Sequence, residues 1–446
     1  MRSCLTYQSN AQNQAMLRAL RDFQNMNVYK FYHIPKIKMT TTVVVGLQYG
    51  GEGKGKIVDL LSKDYDYVVR YNGGNNAGHT IVRDGKKIVL HLVPSGIIDK
   101  KICVMGNGMV IDIEQLQKEI NDIEYTFGFD PRSFLRISER AHIVLPKDIE
   151  TSSHDKSSTG RGIKETYTRK AAREGIRMYD LLHLEEIDNL DPRLNSIRND
   201  HDIHKLVELA EHFRSNTTDI SHLLYWEIRR GKNVLFEGAQ GTGLDINHGQ
   251  YPLTTSSDCI AGGACTGAGI GPTLIDKVTG VAKVYTTRVD GDGKSPLPTQ
   301  FDSELEAKIR TLGLEYGSTT DRARRIGWFD AILVKHAIEV NGVDEVMLTK
   351  LDILDSLDEI KICTSYLIDG KETNVYPCDA STLRRASPIY ETMSGWKDKT
   401  RDTKSMVDLP TNAHHYINRL RAILNTKISY VSTGPDRNSG INVAHL

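Results

Sequence analysis

The sequence predicts an α/β fold: a single large domain with a central, mostly parallel, twisted sheet and a P-loop-like phosphate loop after the first strand. Three observations support this. From Met39 onward, strand-like and helix-like segments alternate, which is typical of parallel sheets covered by helices. A β-branched run, TTVVV, precedes a glycine-rich turn and a helix-like segment. Later strands also end in glycine or polar residues, and ligands bind at such strand ends in open α/β sheets.

The strand candidates are short and rich in β-branched or aromatic residues. In chain order they are TTVVVGL, YDYVVRYN, KKIVLHLV, KICVMGNGMV, FLRISERAHIVL, NVLFEGAQG, VTGVAKVYTTRV, EVMLTKLDIL and KISYVSTG. Helical periodicity marks GKGKIVDLLSK and IEQLQKEINDI, and a long helical region is predicted over residues 202–230. Neither an internal repeat nor an obvious linker follows Met39, so we expect one domain there.

The charge balance excludes some classes of partner. The chain has 446 residues, with 57 basic and 57 acidic side chains, so no overall field favours nucleic acid or an anionic membrane. No run approaches the roughly 20 apolar residues of a membrane span. The six cysteines form no C-x-x-C pair, as expected of reduced thiols in a cytoplasmic protein. We therefore expect small-molecule ligands, no nucleic acid and no membrane.

The first 38 residues differ in composition from the rest of the chain. They contain one acidic residue, Asp22, several lysines and arginines, and no clear strand pattern. Three interpretations are open: a targeting presequence, a disordered arm, or translated leader ahead of a start at Met39. Because the amphipathic character of a transit peptide is only partial, the last two are favoured. The predicted division is an N-terminal extension, 1–38, and one catalytic domain, 39–446.

Gly50 to Lys56 has the spacing of the pattern G-x-x-x-x-G-K, in which backbone N–H groups at a helix N-terminus cradle phosphates. Ile57 stands where that pattern has a hydroxyl residue for Mg²⁺. The alternative is a strand-to-helix turn with solvated lysines. The density of glycine after a buried strand favours phosphate binding.

Taken together, eight segments resemble the adenylosuccinate synthetase family in their order along the chain. They are GLQYGGEGKGKIVDLL, RYNGGNNAGHT, STGRG, FEGAQGTGLDINHGQYPLTTSS, GSTTDRARRIGWFD, LTKLDIL, PIYETMSGW and STGPDR. The resemblance implies a Mg²⁺-dependent homodimeric ligase that joins L-aspartate to carbon 6 of IMP and hydrolyses GTP, with ATP as the alternative donor. In that family, purine N1 loses a proton while O6 takes the γ-phosphoryl group, and the aspartate amine then displaces phosphate.

The resemblance also implies a role for each matching residue. The catalytic residues would be His79 as general acid, Gln240 near O6, and Lys54. The substrate nucleotide would contact Asn76, Thr159, Arg173, Gln240, Thr255, Val289 and Arg322, with Arg173 reaching across the dimer interface. L-Aspartate would be bound by Thr319, Thr320, Arg322 and Arg324. GTP would be bound by Gly50, Glu52, Gly53, Lys54, Gly55, Lys56, Gly78, His79, Thr80, Arg324, Lys350, Asp352, Ser432 and Gly434. The Gly78 carbonyl would ligate Mg²⁺.

The residue types suit these roles. Histidine has a pKa near neutrality, and arginine pairs bidentately with carboxylates. Asp352 can accept from guanine N1–H and its 2-amino group, which predicts GTP over ATP. Taken singly, His79 could instead be a structural hydrogen-bonding residue, Arg173 a solvated helix residue and STTDRARR a basic turn without a ligand.

Four departures from the family pattern border the motifs. Gly51 stands where the family has the aspartate that accepts the N1 proton and ligates Mg²⁺, so its own contact with the metal would be weak. Lys164 and Glu165 follow Ile163 where the family has glycine and proline. Two extra residues follow Val289, and Asp321 replaces a usual glycine.

Losing a general base typically costs 10²- to 10⁴-fold in rate, so three functions remain open. The favoured one uses IMP. The second applies the same chemistry to dGMP or GMP, as in bacteriophage relatives in which a small residue replaces that aspartate and opens space beside the purine 2-position. The third is a nucleotide-binding relative without catalysis.

Overall fold

Strand β1 (Thr41–Gly46) is buried along its whole length. The structure, a computed structural model, describes residues 40–155, 159–186, 191–195, 197, 201–289, 293–317 and 321–443. Val43 and Val45 belong to one buried cluster and Val44 to another, because successive side chains of a strand point to opposite faces. A β-branched run is therefore expected of a strand covered on both faces.

The strands and helices are numbered in chain order. The other strands are β2 (Tyr67–Arg70), β3 (His79–Arg83), β4 (Lys86–Leu90), β5 (Ile102–Met105), β6 (Val110–Ile111), β7 (Leu135–Ser138), β8 (His142–Ile143), β9 (Thr217–Thr218), β10 (Val234–Glu237), β11 (Lys277–Lys283), β12 (Thr286–Arg288), β13 (Arg325–Gly327), β14 (Phe329–Asp330), β15 (Glu345–Thr349), β16 (Glu359–Ile368), β17 (Lys371–Thr373), β18 (Ser387–Ser394), β19 (Lys427–Ser432) and β20 (Gly440–Asn442). The α-helices are α1 (Lys54–Ser62), α2 (Ile113–Phe127), α3 (Pro146–Ser153), α4 (Ile163–Ala172), α5 (Met178–Leu182), α6 (Pro192–Asn195), α7 (His201–Glu211), α8 (Ile220–Arg229), α9 (Gly263–Ala268), α10 (Ser303–Gly313), α11 (Ala331–Asn341), α12 (Ala380–Arg384) and α13 (Thr411–Leu424).

The largest sheet confirms the predicted α/β fold. Its strand order is β20-β19-β15-β11-β1-β10-β2-β5-β7-β9, and each neighbouring pair is parallel except the antiparallel pair β19 and β20. Residues of α8, α11 and α13 pack in the cluster with Val43, and residues of α1, α2 and α7 in the cluster with Val44. The parallel strands therefore present their carboxyl ends together at one edge of the sheet, where the site is expected.

Some predicted elements are wrong in extent. The region 202–230 is not one helix, because α7 and α8 are separated by β9, which pairs with β7, and Asp219 caps α8 by accepting from the His222 N–H. KICVMGNGMV contains β5 of the main sheet and β6 of a separate two-stranded sheet, where β6 pairs with β8. KKIVLHLV lies outside the main sheet, since β4 pairs with β3 in a hairpin.

Other elements were not indicated by the sequence patterns. These include α10, α11 and α13 and a smaller sheet in which β16 pairs with β14, β17 and β18. In the part of the chain that the structure describes, no helix is both long enough and apolar enough to span a membrane. The predicted extension, 1–38, lies outside the described residues, so the domain division stays a prediction.

Phe236 tests the placement of β10 within the core. Its side chain is fully buried, so Phe236→Ala should lower the free energy of unfolding by about 3–5 kcal/mol, measured by urea denaturation. Tyr125→Ala is the matched control, because Tyr125 is 93% exposed and its loss should change that free energy by less than about 0.5 kcal/mol. Equal effects of the two changes would contradict the burial of Phe236.

Candidate active site

The phosphate loop is held together by Glu52. This buried carboxylate accepts from the backbone N–H groups of Gln48 and Gly50, at 3.0 and 2.8 Å, and pairs with the Lys54 ammonium at 2.8 Å. Burial acts to raise the pKa of Glu52, but Lys54 and the loop N–H groups outweigh it and hold that pKa below its ordinary value. Both carboxylate oxygens are thus engaged within the loop.

The loop leads directly into the N-terminus of α1. Gly53, with φ +87°, precedes the helix and supplies no side-chain cap, so first-turn N–H groups remain for a phosphate. A Cβ on Gly55 would lie 2.7 Å from the His79 Cβ and 3.0 Å from its Cα. Glycine at 55 therefore lets strand β3, which begins at His79, pack against the phosphate loop. This packing also brings Gly78 and Thr80 to the carboxyl edge of the main sheet.

His79 is buried and contacts a second buried group, Glu237, at the carboxyl end of β10. The His79 Nδ1 and the Glu237 carboxylate form a short hydrogen bond, and Glu237 also accepts from the Ser95 N–H and hydroxyl at 2.7 and 2.6 Å. Burial lowers the pKa of His79, while Glu237 acts to raise it. Burial acts to raise the pKa of Glu237, but His79 and Ser95 hold it below its ordinary value. Because Glu237 engages the Nδ1 atom, the Nε2 atom of His79 is the ring nitrogen that a ligand can contact.

Gln240 follows Glu237 in the same chain segment and adopts a left-handed backbone, with φ +57°. Its Oε1 is buried and has no hydrogen-bond partner among the described residues. A Cβ on Gly73 would lie 3.0 Å from that oxygen, and a Cβ on Gly50 would lie 3.3 Å from the Gln240 Cα. A buried amide oxygen without a partner is costly, which marks this position as one that a ligand would satisfy.

The residues predicted for the guanine pocket also lie near the phosphate loop. Lys56, in α1, donates to the Ser432 hydroxyl and the Gly434 carbonyl, both at 2.6 Å. Burial lowers the pKa of Lys56 to about 8. The Asp352 side chain is 5% exposed and lies 3.5 Å from the Arg401 guanidinium, and burial raises its pKa despite Arg401.

Gly51 borders a cluster of cations. A Cβ there would lie 3.1 Å from the Thr287 Oγ1 and 3.4 Å from both the Lys283 Nζ and the Arg324 Cζ. Lys283 is fully buried and donates to both oxygens of Glu315 at 2.8 Å. Arg324 donates to the same carboxylate at 2.6 Å. Burial acts to raise the pKa of Glu315, but Lys283 first and the other cations after it hold that pKa well below its ordinary value.

The predicted aspartate-binding loop is only partly described. Thr319 and Thr320 lie outside the described residues. The Arg322 carbonyl accepts from the Gly317 N–H at 2.8 Å. Asp321 has φ +51° and is exposed, so the usual glycine matches a left-handed position that aspartate tolerates better than most residues.

Five other predicted residues take no part in the contacts described above. Arg173 is exposed at the end of α4, with φ +65°, and forms no ion pair with a described residue. Thr159 is also exposed, whereas Asn76, Thr255 and Val289 are half-buried.

The segment that departs from the family pattern after Ile163 is helical. The Thr166 hydroxyl there donates to the Asp148 carboxylate at 3.0 Å, so this backbone does not require glycine or proline. The extra residues after Val289 lie outside the described part.

The sequence patterns did not indicate Glu237, Ser95, Lys283 or Glu315 as site residues. A signal was present for two of them, because Glu237 and Lys283 are charged residues at the ends of apolar strand runs. A buried charge requires a partner, but the spacing along the chain does not identify it: Glu315 is 32 residues from Lys283 and Ser95 is 142 residues from Glu237.

Comparisons with known proteins show the family of this chain. The adenylosuccinate synthetase family model matches residues 43–441. The chain is 45% identical over 427 residues to the adenylosuccinate synthetase of Caldanaerobacter subterraneus subsp. tengcongensis, covering 90% of this chain and 99% of that protein. The chain belongs to the adenylosuccinate synthetase family.

Solved structures agree on the fold. A fully ligated adenylosuccinate synthetase from Plasmodium falciparum superimposes with a TM-score of 0.83 at 34% identity, covering 90% of this chain and 99% of that one. A cyanophage S-2L succinoaminodeoxyadenylate synthetase, bound to dGMP and to dATP as energy donor, superimposes with a TM-score of 0.61 at 21% identity, covering 91% and 95%. The second likeness shows the fold alone.

Membership of the adenylosuccinate synthetase family confirms the predicted ligase that forms a carbon–nitrogen bond. The family uses GTP, Mg²⁺ and small-molecule substrates. A protein-only Mg²⁺ site does not fit the residues beside the phosphate loop: Gly51 offers no carboxylate, and both Glu52 oxygens are engaged. Among the described residues, no group of three histidine, cysteine or acidic side chains could hold a metal.

Glu237→Gln tests whether Glu237 positions His79. The change removes the negative charge that acts to raise the pKa of His79, so the high-pH fall in ligase rate should move to lower pH. We expect kcat at neutral pH to fall about 10²-fold, the lower end of a general acid's contribution. The measurement is the pH profile of kcat.

Glu119→Gln is the matched control for that change. Glu119 is equally buried and accepts from the N–H groups of His91, Leu92 and Val93, away from His79 Nδ1. The pH profile of kcat of Glu119→Gln should keep the shape of the native profile. An unshifted profile in Glu237→Gln would contradict the positioning role.

Proposed function

We propose that this protein condenses L-aspartate with IMP to give adenylosuccinate while hydrolysing GTP. The observation that carries the proposal is the convergence of His79, its partner Glu237, the unpartnered Gln240 Oε1 and the phosphate loop at one sheet edge. A purine with an oxygen at carbon 6 would lie against Gln240, and the γ-phosphate would lie between the loop and His79.

Two steps complete the reaction. In the first, N1 of IMP loses a proton, O6 bonds to the γ-phosphorus, and the bond from that phosphorus to GDP breaks. In the second, the aspartate amine bonds to carbon 6, loses a proton, and inorganic phosphate leaves with O6. Phosphoryl transfer depends chiefly on positioning and charge neutralisation, which Lys54 and the N–H groups of Gly53, Gly55 and Lys56 would supply.

His79 would act as the general acid of this chemistry. Its imidazole would donate from Nδ1 to Glu237, and a phosphate dianion beside Nε2 would favour the protonated ring, because opposite charge raises a histidine pKa. Glu237 then stabilises the imidazolium in one orientation. The dyad is therefore ready to protonate an oxygen as negative charge develops on it.

GTP would be selected over ATP by Asp352. Its nearly buried carboxylate would accept from guanine N1–H and the 2-amino group, and adenine has no proton at N1. Arg401, 3.5 Å away and 56% exposed, can move toward solvent as the base enters. Lys350 would stack on the base, and Ser432 and Gly434 would complete the pocket.

The remaining predicted roles belong to the same proposal. Arg322 and Arg324, with Thr319 and Thr320, would bind L-aspartate. The substrate nucleotide would contact Asn76, Thr159, Thr255 and Val289, and Arg173 of one protomer would reach the substrate phosphate of its partner in a homodimer. Mg²⁺ would be bound mainly by phosphate oxygens, with the Gly78 carbonyl as its protein ligand. We propose a cytoplasmic enzyme whose catalytic domain is 39–446, preceded by an extension.

Gly51 supports a second candidate substrate, dGMP or GMP, because it leaves space where relatives have a side chain. The hydrogen-bond donors around that space disfavour dGMP and GMP. A 2-amino group directed at Gly51 would meet the Thr287 hydroxyl, which can accept, but also the Lys283 ammonium and the Arg324 guanidinium, which are themselves donors. IMP, with no substituent at that position, avoids this mismatch.

A substrate test separates the candidates. Purified protein with Mg²⁺, L-aspartate and GTP or ATP is given IMP, GMP or dGMP, and product is measured by mass spectrometry. We expect product from IMP that requires aspartate, and more with GTP than with ATP. Product from dGMP alone would support the second candidate, and product from none would support binding without catalysis.

Gly51→Asp extends this test. If the absence of the carboxylate only slows the reaction with IMP, the change should raise IMP turnover by up to about 10²-fold. Gly271→Asp is the matched control, since Gly271 has φ −71° and nothing within 4 Å of an added Cβ, and its turnover should be unchanged. A fall in dGMP turnover in Gly51→Asp, without a gain on IMP, would indicate adaptation to dGMP.

Subunit mixing tests the role of Arg173. Arg173→Ala and His79→Asn should each be nearly inactive, but a 1:1 mixture should recover about a quarter of the native rate, because half of randomly paired dimers are mixed and each holds one complete site. His79→Asn mixed with Glu237→Gln is the control, since both changes damage a protomer's own site. Equal recovery in both mixtures would contradict the proposal.

A further inference from the structure

The cluster beside Gly51 contains more positive than negative charge. Glu315 is fully buried and is shared by Lys283 at 2.8 Å, Arg324 at 2.6 Å and Lys350 at 3.4 Å. The Tyr285 hydroxyl donates to the same carboxylate at 2.6 Å. One carboxylate therefore faces two lysines and one arginine, in surroundings where charges are weakly screened. Burial lowers the pKa of Lys283 well below its ordinary value although Glu315 acts to raise it, but Arg324 and Lys350 alone outnumber the carboxylate.

Polar groups of this cluster border Gly51. The Arg324 Nε is buried and has no hydrogen-bond partner among the described residues. The position of a Cβ on Gly51 is 3.1 Å from the Thr287 Oγ1 and 3.4 Å from the Lys283 Nζ. The Lys283 ammonium already donates to the Thr287 hydroxyl and to both oxygens of Glu315. An oxygen at that point could therefore accept from the Thr287 hydroxyl, and it would interact with Lys283 through its charge. Gly51 and Arg324 are both partly exposed, so the point can be reached from solvent.

We propose that a small monocarboxylate anion binds beside Gly51, with one oxygen near the absent Cβ, facing Thr287, Lys283 and Arg324. The charge of the cluster and its donors select an oxyanion over a neutral or cationic ligand. The space also limits the size of the anion, because the neighbouring side chains already lie at contact distance from a Cβ added at Gly51. Formate fits this description best, acetate less well, and a branched carboxylate does not.

This anion supplies the base that the chain lacks, a consequence that rests on the proposed function. Its free oxygen takes the proton from N1 of IMP and becomes a carboxylic acid, as O6 bonds to the γ-phosphorus and the bond to GDP breaks. The acid then releases its proton to water. Atoms and charge balance without any other reactant, and no side chain of the cluster has to change its protonation state.

Formate titration tests the site in two ways. At constant ionic strength maintained with chloride, formate should raise the thermal unfolding midpoint of the ligand-free protein in a saturable manner. It should also raise the rate of adenylosuccinate formation from IMP by about 10-fold or more, part of the 10²- to 10⁴-fold that a general base contributes. Acetate should give a smaller effect, and pivalate none.

Two variants at Gly51 control for nonspecific effects. Gly51→Ala places a methyl group at the binding point without charge, and Gly51→Asp supplies a carboxylate of its own. Gly51 does not have a left-handed φ, and the side-chain ends around it can shift, so both variants should fold. Neither should respond to formate in either measurement, and Gly51→Asp should be active without it.

The outcomes separate this inference from the proposed function. Equal responses to formate in native protein and Gly51→Ala would overturn the anion site. The anion site is also overturned if Gly51→Asp makes adenylosuccinate while the native protein shows neither a saturable thermal shift nor a rate increase with formate. If no variant makes adenylosuccinate under any condition, the proposed function fails, and the thermal shift alone then decides the anion site.

Discussion

Charges at the carboxyl ends of the parallel strands are buried, and the need to pair them organises the site. Glu237 at the end of β10 is satisfied by His79 and Ser95, and Lys283 at the end of β11 by Glu315. Each pairing joins a strand of the sheet to a segment distant in sequence. Because an unpaired buried charge costs several kcal/mol, these pairs fix where the segments carrying His79 and Arg324 lie. The geometry of the site is thus a consequence of electrostatic pairing at the sheet edge.

The sequence predicted the features that depend on local pattern. TTVVV has the composition of a strand covered on both faces, and the glycine loop with its helix follows from residue spacing, so β1, the phosphate loop and α1 could be predicted together. The pairing of Glu237 with His79 could not, since nothing local connects residues 158 positions apart. The division of 202–230 was missed for a similar reason: β9 exists because it pairs with β7 at the sheet edge, a tertiary interaction that helical periodicity does not reveal.

Two of the departures from the family have opposite physical consequences. Asp321 occupies a left-handed backbone position on the surface, which aspartate tolerates at modest cost, and its side chain is free to point to water. Gly51 removes a carboxylate from a cluster whose cations are buried. The first change is therefore compatible with the family's chemistry as it stands, while the second requires negative charge from another source.

That source is not another side chain of the phosphate loop. Glu52, the nearest acid in sequence, is bound to Gln48, Gly50 and Lys54, and withdrawing it would leave the Lys54 ammonium buried and unpaired. Glu315 is already shared by Lys283, Arg324 and Lys350, which leaves positive charge in excess beside Gly51. Substrate phosphates add negative charge above the loop, but Mg²⁺ offsets part of it. A mobile anion beside Gly51 resolves the imbalance without disturbing either pair, because it arrives with its own charge and leaves the loop and the cluster in place.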